Sequence, residues 1–250
     1  MARQKGIIQL EGTLGGINFY IRKGKPVARK AGGGFNGKAI KTSPTMVRVR
    51  ENNTEFGHCS KVKKCLKIAL HPFLHSYREG TLHGRMMQLL QQIKVCDTLS
   101  ERGKRNIGNG LASPMGKLLF RQFAFTPKRS VSNTLLGTGT FDWDRFSYTM
   151  RDFDVKKVRF AASATHFEVC LGVLFFDFTN LNSQLFLSAP LLVGRDYTDD
   201  QFSLSPIAPT VGEGFPFAFV GLQFYQEVNG ILYLLQEETA VGLEVLSLGV

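Results

Sequence analysis

The second half of the chain consists of short hydrophobic runs separated by turn residues, and this pattern restricts the fold more than any other feature. From about residue 140 the hydrophobic residues follow a period of two, and Gly, Pro, Asn and Asp recur between the runs. Such closely spaced strands are typical of an antiparallel sandwich or barrel. We predict eight strands, at 141–149, 155–162, 166–178, 185–192, 201–207, 215–226, 231–237 and 242–248.

Two further features support the sandwich. Asn229-Gly230 separates two hydrophobic runs, and this dipeptide is typical of a two-residue hairpin turn with positive φ at both positions. Most of the 21 phenylalanines lie between Phe141 and Phe224, which suits the filling of a core between two sheets. The sequence does not determine the strand order, so jelly-roll and immunoglobulin-like topologies both stay open.

The first 130 residues follow a different pattern. Glycine-rich turns separate short β-type runs near the N-terminus, and Ser43-Pro44 is typical of a helix start because proline is favoured in the first helical turn. Hydrophobic residues then recur at helical spacing. We predict a hairpin or meander from runs at 7–11, 17–22 and 27–30, a flexible loop at 31–42, and helices at 45–77 and 82–98, with an interruption at Pro72 and with 117–125 as helix or strand.

These patterns predict an α+β protein: an N-terminal β-hairpin and helices followed by an antiparallel β-sandwich. Residues 1–130 contain 25 Lys or Arg and 6 Asp or Glu, a net charge of +19, whereas residues 131–250 contain 6 and 14, a net charge of −8. We therefore predict a basic hairpin-plus-helical region over 1–130 and an acidic all-β sandwich domain over 131–250. The positive half suits a polyanion, or the acidic half of a neighbouring copy.

Several groups of residues resemble chemical sites, and each lacks a required part. The segment 32–39 has the spacing of a phosphate-binding loop, but alanine replaces the hydroxyl residue that binds magnesium. His71 and His75 have the spacing of zinc ligands on a helix, but Pro72 separates them. The acidic cluster within 142–154 is more typical of exposed turns than of a calcium site. We predict no catalytic residues, no metal, no cofactor and no enzymatic activity.

The basic residues of the first half occur in clusters and alternate with aromatic residues, which suits contacts with phosphates and stacking on bases. The predicted nucleic-acid-binding residues are Arg22, Lys23, Lys25, Arg29, Lys30, Arg48, Arg50, Lys61, Lys63, Lys64, Lys67, Arg102, Lys104 and Arg105.

Several short segments together suggest a family relationship. They are Lys5-Gly6-Ile7, Leu10-Glu11-Gly12, Gly15-Gly16-Ile17-Asn18-Phe19-Tyr20, Lys25-Pro26-Val27-Ala28-Arg29, Arg48-Val49-Arg50-Glu51-Asn52-Asn53, Glu55-Phe56-Gly57 and Gly221-Leu222-Gln223-Phe224-Tyr225-Gln226. In these segments the chain resembles an uncharacterised family of Bacteroidetes proteins, over most of its length. The resemblance implies an N-terminal hairpin, helices and a C-terminal β-sandwich, and it implies no activity, ligand or catalytic residue.

We expect a non-enzymatic structural protein that self-assembles as a homo-oligomer, in a capsid-like or phage-derived arrangement in contact with nucleic acid. A basic arm before a sandwich is the architectural basis of that analogy. The alternative is a nucleic-acid-binding module that acts as a monomer or dimer through the basic N-terminal half. No apolar run has the length of a membrane span, and the N-terminus lacks the apolar region of a signal peptide. We therefore expect a location in the cytoplasm or within a particle.

Overall fold

A computed structural model describes residues 2–4, 9–32, 37–207 and 212–249. The protein has the predicted α+β fold, with N-terminal strands and helices followed by antiparallel sheets. The chain forms two compact units, Met1–Arg50 and Glu51–Val250. Near the predicted boundary at residue 130 helices give way to strands, whereas the division of the chain into compact units falls between Arg50 and Glu51.

The N-terminal unit contains a small antiparallel sheet with the strand order β1-β4-β3-β2. Its strands are β1 (Ala2–Arg3), β2 (Gly12–Leu14), β3 (Ile17–Arg22) and β4 (Lys25–Lys30). Lys23 and Gly24 both have positive φ, 50° and 72°, and this conformation gives the tight turn that joins two twisted strands.

Two predictions for this unit need correction. The strand predicted at 7–11 is wrong over 9–11, because the described strand β2 begins only at Gly12; residues 7 and 8 lie outside the described residues. The loop predicted at 31–42 contains a short helix, α1 (Gly37–Thr42), while residues 33–36 lie outside the described part of the chain.

Ser43 caps the next helical segment as predicted, since its hydroxyl accepts a hydrogen bond from the Thr45 amide ahead of a 3-10 turn at Pro44–Met46. The long helix that follows ends before the predicted limit of residue 77, and Pro72 lies in the first turn of the next helix, where its missing N–H costs nothing. The remaining helices are α2 (Val47–Ala69), α3 (His71–Leu74), α4 (Leu82–Val95), α5 (Ile107–Ala112), α6 (Pro114–Arg121) and α7 (Ser132–Leu135).

The strands of the second unit form two antiparallel sheets. One has three strands in the order β10-β6-β5; in the other, β12-β11-β7-β8 form a continuous row, β13 also pairs with β11, and β9 also pairs with β7. The strands are β5 (Thr138–Asp142), β6 (Ser147–Arg151), β7 (His166–Phe176), β8 (Ser183–Leu187), β9 (Leu191–Gly194), β10 (Phe202–Leu204), β11 (Phe215–Val228), β12 (Ile231–Leu234) and β13 (Val241–Leu248).

Three of the eight predicted strands differ from the structure. The segment 185–192 contains the end of β8 and the start of β9, which are separate strands. The segment 141–149 is the tip of the β5–β6 hairpin rather than one strand. The segment 155–162 is a 3-10 turn at Val155–Lys157 followed by irregular chain, and its buried residues are spaced by three rather than two. These residues are Val155, Val158 and Ala161, and Ala164 just after the segment continues the spacing.

The paired strands β7 and β11 are the centre of the larger sheet, and both of its faces are covered. Helices α2 to α6 pack on one face, where Leu174, Phe217 and Phe219 belong to the same core as the helical residues. The three-stranded sheet and the irregular segment pack on the other face, against Leu171 and Phe224. Because both faces are buried, these strands are almost continuously hydrophobic.

Helix α3 approaches the larger sheet at two glycines. Gly172 on β7 and Gly221 on β11 both face the ring of Phe73, and a methyl group at either position would collide with that ring. The glycines therefore make room for a buried aromatic side chain between helix and sheet.

Candidate nucleic-acid interface

Most of the net charge belongs to the N-terminal unit. Residues 1–50 contain 11 Lys or Arg and one acidic residue, Glu11, so this unit carries +10 of the net +11. Residues 51–250 contain 20 Lys or Arg and 19 Asp or Glu, a net charge of +1. A single carboxylate cannot neutralise eleven cations, so the N-terminal unit presents a strongly positive surface to its surroundings.

The register of the N-terminal sheet separates its side chains into two faces. Asn18, Tyr20 and Arg22 of β3 lie opposite Arg29, Val27 and Lys25 of β4, in that order. Alternation along a strand places these six residues on one side, which we call the basic face. The other side, which we call the apolar face, carries Ile17, Phe19 and Ile21 opposite Lys30, Ala28 and Pro26.

The basic face combines charge with an aromatic ring. The guanidinium carbon of Arg29 lies 5.7 Å from the centroid of Tyr20, a cation–π distance. Lys25 and Arg29 are exposed, and Lys23 extends the positive charge into the turn after β3. A backbone phosphate and a neighbouring base could both be contacted here, whereas Lys30 belongs to the opposite face.

Two predicted residues at the start of α2 lie in the same unit. Arg50 donates hydrogen bonds from Nη1 to the carbonyl oxygens of Ile40 and Ser43, at 2.7 and 2.9 Å. It therefore fixes α1 and the following turn to the helix. Arg48 lies two residues before Arg50 in the first turn of the same helix.

The four predicted lysines of α2 lie together at a groove in the second unit, between α2 and the start of α4. Sequence reasoning missed the groove because its other titratable members come from outside the lysine run. The lining residues are Gly57, Ser60, Lys61, Lys63, Lys64, Lys67, Ile68, His71 and His83. We call this set the lysine groove. Most of these residues recur at the spacing of one helical face, and this spacing is visible in the sequence at 57, 60, 61, 64, 67, 68 and 71. The sequence does not show that His83 of α4 joins them.

Lys63 is the buried member of the lysine groove. It is 7% exposed, and its Nζ lies 3.0 Å from Nδ1 and 3.1 Å from Nε2 of His83. Burial lowers the pKa of Lys63, and the positive charge of Lys67 lowers it further.

Arg102, Lys104 and Arg105 lie in the loop after α4, where each forms a salt bridge with a carboxylate. Arg102 pairs with Glu51 at 3.2 Å and Lys104 with Glu101 at 3.0 Å. Arg105 forms two hydrogen bonds to Glu55, at 2.8 and 3.0 Å. The loop arginines therefore tie the loop to α2.

Glu55 is the buried centre of this arrangement. Its side chain also contacts Lys94 at 2.8 Å and accepts a hydrogen bond of 2.7 Å from the Gly103 amide. Burial raises the pKa of Glu55, but the hydrogen bonds from Arg105, Lys94 and Gly103 outweigh it and lower the pKa to about 2.

The residues considered for metal binding serve other contacts. His75 Nδ1 lies 3.1 Å from the carbonyl oxygen of Pro72, and His71 belongs to the lining of the lysine groove. In the turn after β5, Asp142 accepts from the Asp144 amide, and Asp154 caps the 3-10 turn after β6. The described residues contain no group of three or more His, Cys, Asp or Glu that could hold a metal ion.

Comparisons with protein-family models, with curated proteins and with solved structures gave no match. The resemblance to the Bacteroidetes family therefore stays a prediction. Among the described residues, no helix combines the length and the apolar character needed to cross a membrane.

Proposed function

We propose that the N-terminal unit binds nucleic acid and that the protein has a structural rather than an enzymatic role. The observation that carries this proposal is the charge of the unit, with +10 concentrated in fifty residues that include one carboxylate. Nucleic acid is the polyanion that best fits, because the basic face combines cations with Tyr20, a ring on which a base can stack.

Binding of this kind depends on salt, because each phosphate contact releases counterions. The test variant is Lys25→Gln with Arg29→Gln, which removes two exposed cations from the basic face. The matched control is Lys156→Gln with Lys157→Gln, two exposed lysines of the second unit. Fluorescence anisotropy with a labelled single-stranded oligonucleotide, measured at several salt concentrations, gives the affinity and its salt dependence.

We expect wild type and control to bind with the same steep salt dependence. The test variant should bind more weakly, and the slope of log K against log salt should become shallower by about 0.7 per lost contact with a single strand, or about 1.4 in total. Equal slopes for the test variant and wild type would contradict the proposal. Stronger binding to vesicles of anionic lipid than to the oligonucleotide would also contradict it.

We further propose that the protein self-associates through the tip of the β11–β12 hairpin. Val228 and Ile231 lie opposite each other, as do Gln226 and Tyr233, so three exposed apolar side chains share one face of the tip. Val228, Ile231 and Tyr233 are 45%, 56% and 54% exposed. Within the described chain β12 pairs only with β11, so its outer edge is available for a strand of a second copy.

Light scattering coupled to size-exclusion chromatography tests this contact. We expect an oligomer for wild type and a smaller species for Ile231→Asp with Tyr233→Ser. Leu192→Asp replaces an apolar residue of comparable exposure, 45%, on β9, and should leave the oligomer intact. A wild-type protein that is monomeric at every concentration and salt would refute self-association.

A further inference from the structure

The lysine groove has an excess of positive charge that the described chain does not neutralise. Four lysines and two histidines line it, and no carboxylate belongs to the lining. None of these lysines forms a salt bridge with any carboxylate of the described residues. This site is in the second unit and is independent of the basic face.

Two lysines of the second unit are equally buried, but they differ in whether a carboxylate neutralises them. Lys94 and Lys63 are both 7% exposed. Lys94 lies 2.8 Å from the carboxylate of Glu55, whereas the polar neighbour of Lys63 is the imidazole of His83. A buried ammonium is costly unless an anion or an equivalent set of acceptors compensates it. Lys63 therefore lacks the counter-charge that Lys94 has.

We propose that the lysine groove binds a phosphate group, with Lys63 as its innermost ligand. Lysine ammonium groups bind phosphate as point charges, and a phosphate offers several oxygens that Lys63, Lys67 and His83 can share. Lys63 and Lys67 are one helical turn apart on α2, and such like charges repel each other until an anion lies between them. Ile68 and the aliphatic lysine stems provide apolar surface for the organic part of a phosphate ester.

The first experiment uses inorganic phosphate as the probe on the full-length protein. Isothermal titration calorimetry with sodium phosphate, in a background of sodium chloride at constant ionic strength, separates specific binding from general screening. The test variant is Lys63→Met, which keeps an unbranched side chain only one atom shorter and removes its charge. The control is Lys156→Met, an exposed lysine outside the groove.

We expect phosphate to bind wild type and the control equally, and to bind Lys63→Met at least tenfold more weakly. Lys67→Met changes an exposed residue at the rim and should show a smaller loss, so it serves as the second variant if Lys63→Met does not fold. Equal phosphate affinity in wild type and in both groove variants would overturn the proposal. No heat beyond that of matched chloride in wild type would also overturn it.

A second experiment identifies the source of the phosphate group. Phenyl phosphate and an oligonucleotide without terminal phosphates compete with inorganic phosphate, in the Lys25→Gln/Arg29→Gln background that weakens the basic face. Displacement by phenyl phosphate alone identifies a small phosphate ester, and displacement by the oligonucleotide identifies a nucleic-acid backbone. Failure of both to displace phosphate would overturn the assignment to phosphate esters. Because the basic face is changed throughout, these results do not depend on the function proposed for the N-terminal unit.

Discussion

At the scale of single residues, the buried charged side chains of the second unit differ in whether an opposite charge lies beside them. Glu55 is fully buried and holds Arg105 and Lys94, so three ionised groups fix α2, α4 and the loop after α4 to one another. Lys63 is also buried, and it has no carboxylate partner among the described residues. The first arrangement stabilises the fold, and the second suits a ligand.

The Glu55 network gives a prediction about stability. Glu55→Gln leaves two cations without their counter-charge, and removing one partner of a buried ion pair costs about 3 kcal/mol of unfolding free energy. The control Glu101→Gln on the same loop removes an exposed pair with Lys104, and it should cost less than about 1 kcal/mol. Urea denaturation at pH 7 measures both values, and equal losses would contradict the role of Glu55.

The same residue sets an acid dependence. Because its pKa is lowered from 4.5 to about 2 in the folded protein, Glu55 contributes stability that is fully present above the unfolded pKa. This contribution is lost as the pH falls from about 4.5 towards 2. We therefore expect the difference in stability between wild type and Glu55→Gln to shrink across that range.

At the scale of elements, the contact between α3 and the larger sheet depends on the absence of a side chain. Gly221→Ala would place a methyl group against the buried ring of Phe73, and overpacking of this kind costs about 1–3 kcal/mol. Gly84→Ala in α4 meets open space and should stabilise the protein by about 1 kcal/mol through helix propensity. Thermal and urea denaturation compare the two variants.

The double variant Phe73→Leu/Gly221→Ala provides the control for this explanation. A smaller side chain at position 73 leaves room for the methyl group, so Gly221→Ala should cost less in the Phe73→Leu background than in wild type. Additive losses would show that the glycine is required for a reason other than its contact with Phe73.

Elements whose signals are local were predictable from the sequence. The Ser43-Pro44 start and the Asn229-Gly230 turn depend on residues next to each other, and strands β7 and β11 are long hydrophobic runs. The segment 155–162 was predicted wrongly because its composition is typical of a strand, although its burial has a period of three. The contact of Phe73 with two glycines more than ninety residues away has no local signal.

At the scale of the whole molecule, the compact units divide the charge differently from the predicted halves: nearly all of the net charge lies in the first fifty residues. The sequence places +19 before residue 130 and −8 after it, but helices from residue 51 onwards share a core with the acidic sheet. The positive charges of these helices and the negative charges of the sheets largely cancel. The second unit therefore has a net charge of +1, and the N-terminal unit has +10. The helices and the C-terminal sheets belong to one unit because of tertiary contacts, and the hydrophobic periodicity of the sequence does not show such contacts.

For the candidate site, the residue types were predictable from the sequence, but their contacts were not. The basic residues were visible in the sequence as clusters, and five of these residues lie on the N-terminal hairpin. Their different roles were not visible, because Arg102 and Arg105 meet carboxylates on α2 that are fifty residues away in sequence. The lysine groove needed His83 from a second helix to be complete.

The pairing of β7 with β11 also has a consequence for how the chain folds. Its ladder joins residues that are 39 to 59 positions apart in the chain, so the entropy of closing a long loop must be overcome before the central contacts form. Until that happens, two nearly continuous hydrophobic strands are exposed, and strands of this kind aggregate when they meet other unfolded chains. The continuous hydrophobic character of β7 and β11, which buries the centre of the native sheet, therefore makes folding slow and dependent on protein concentration.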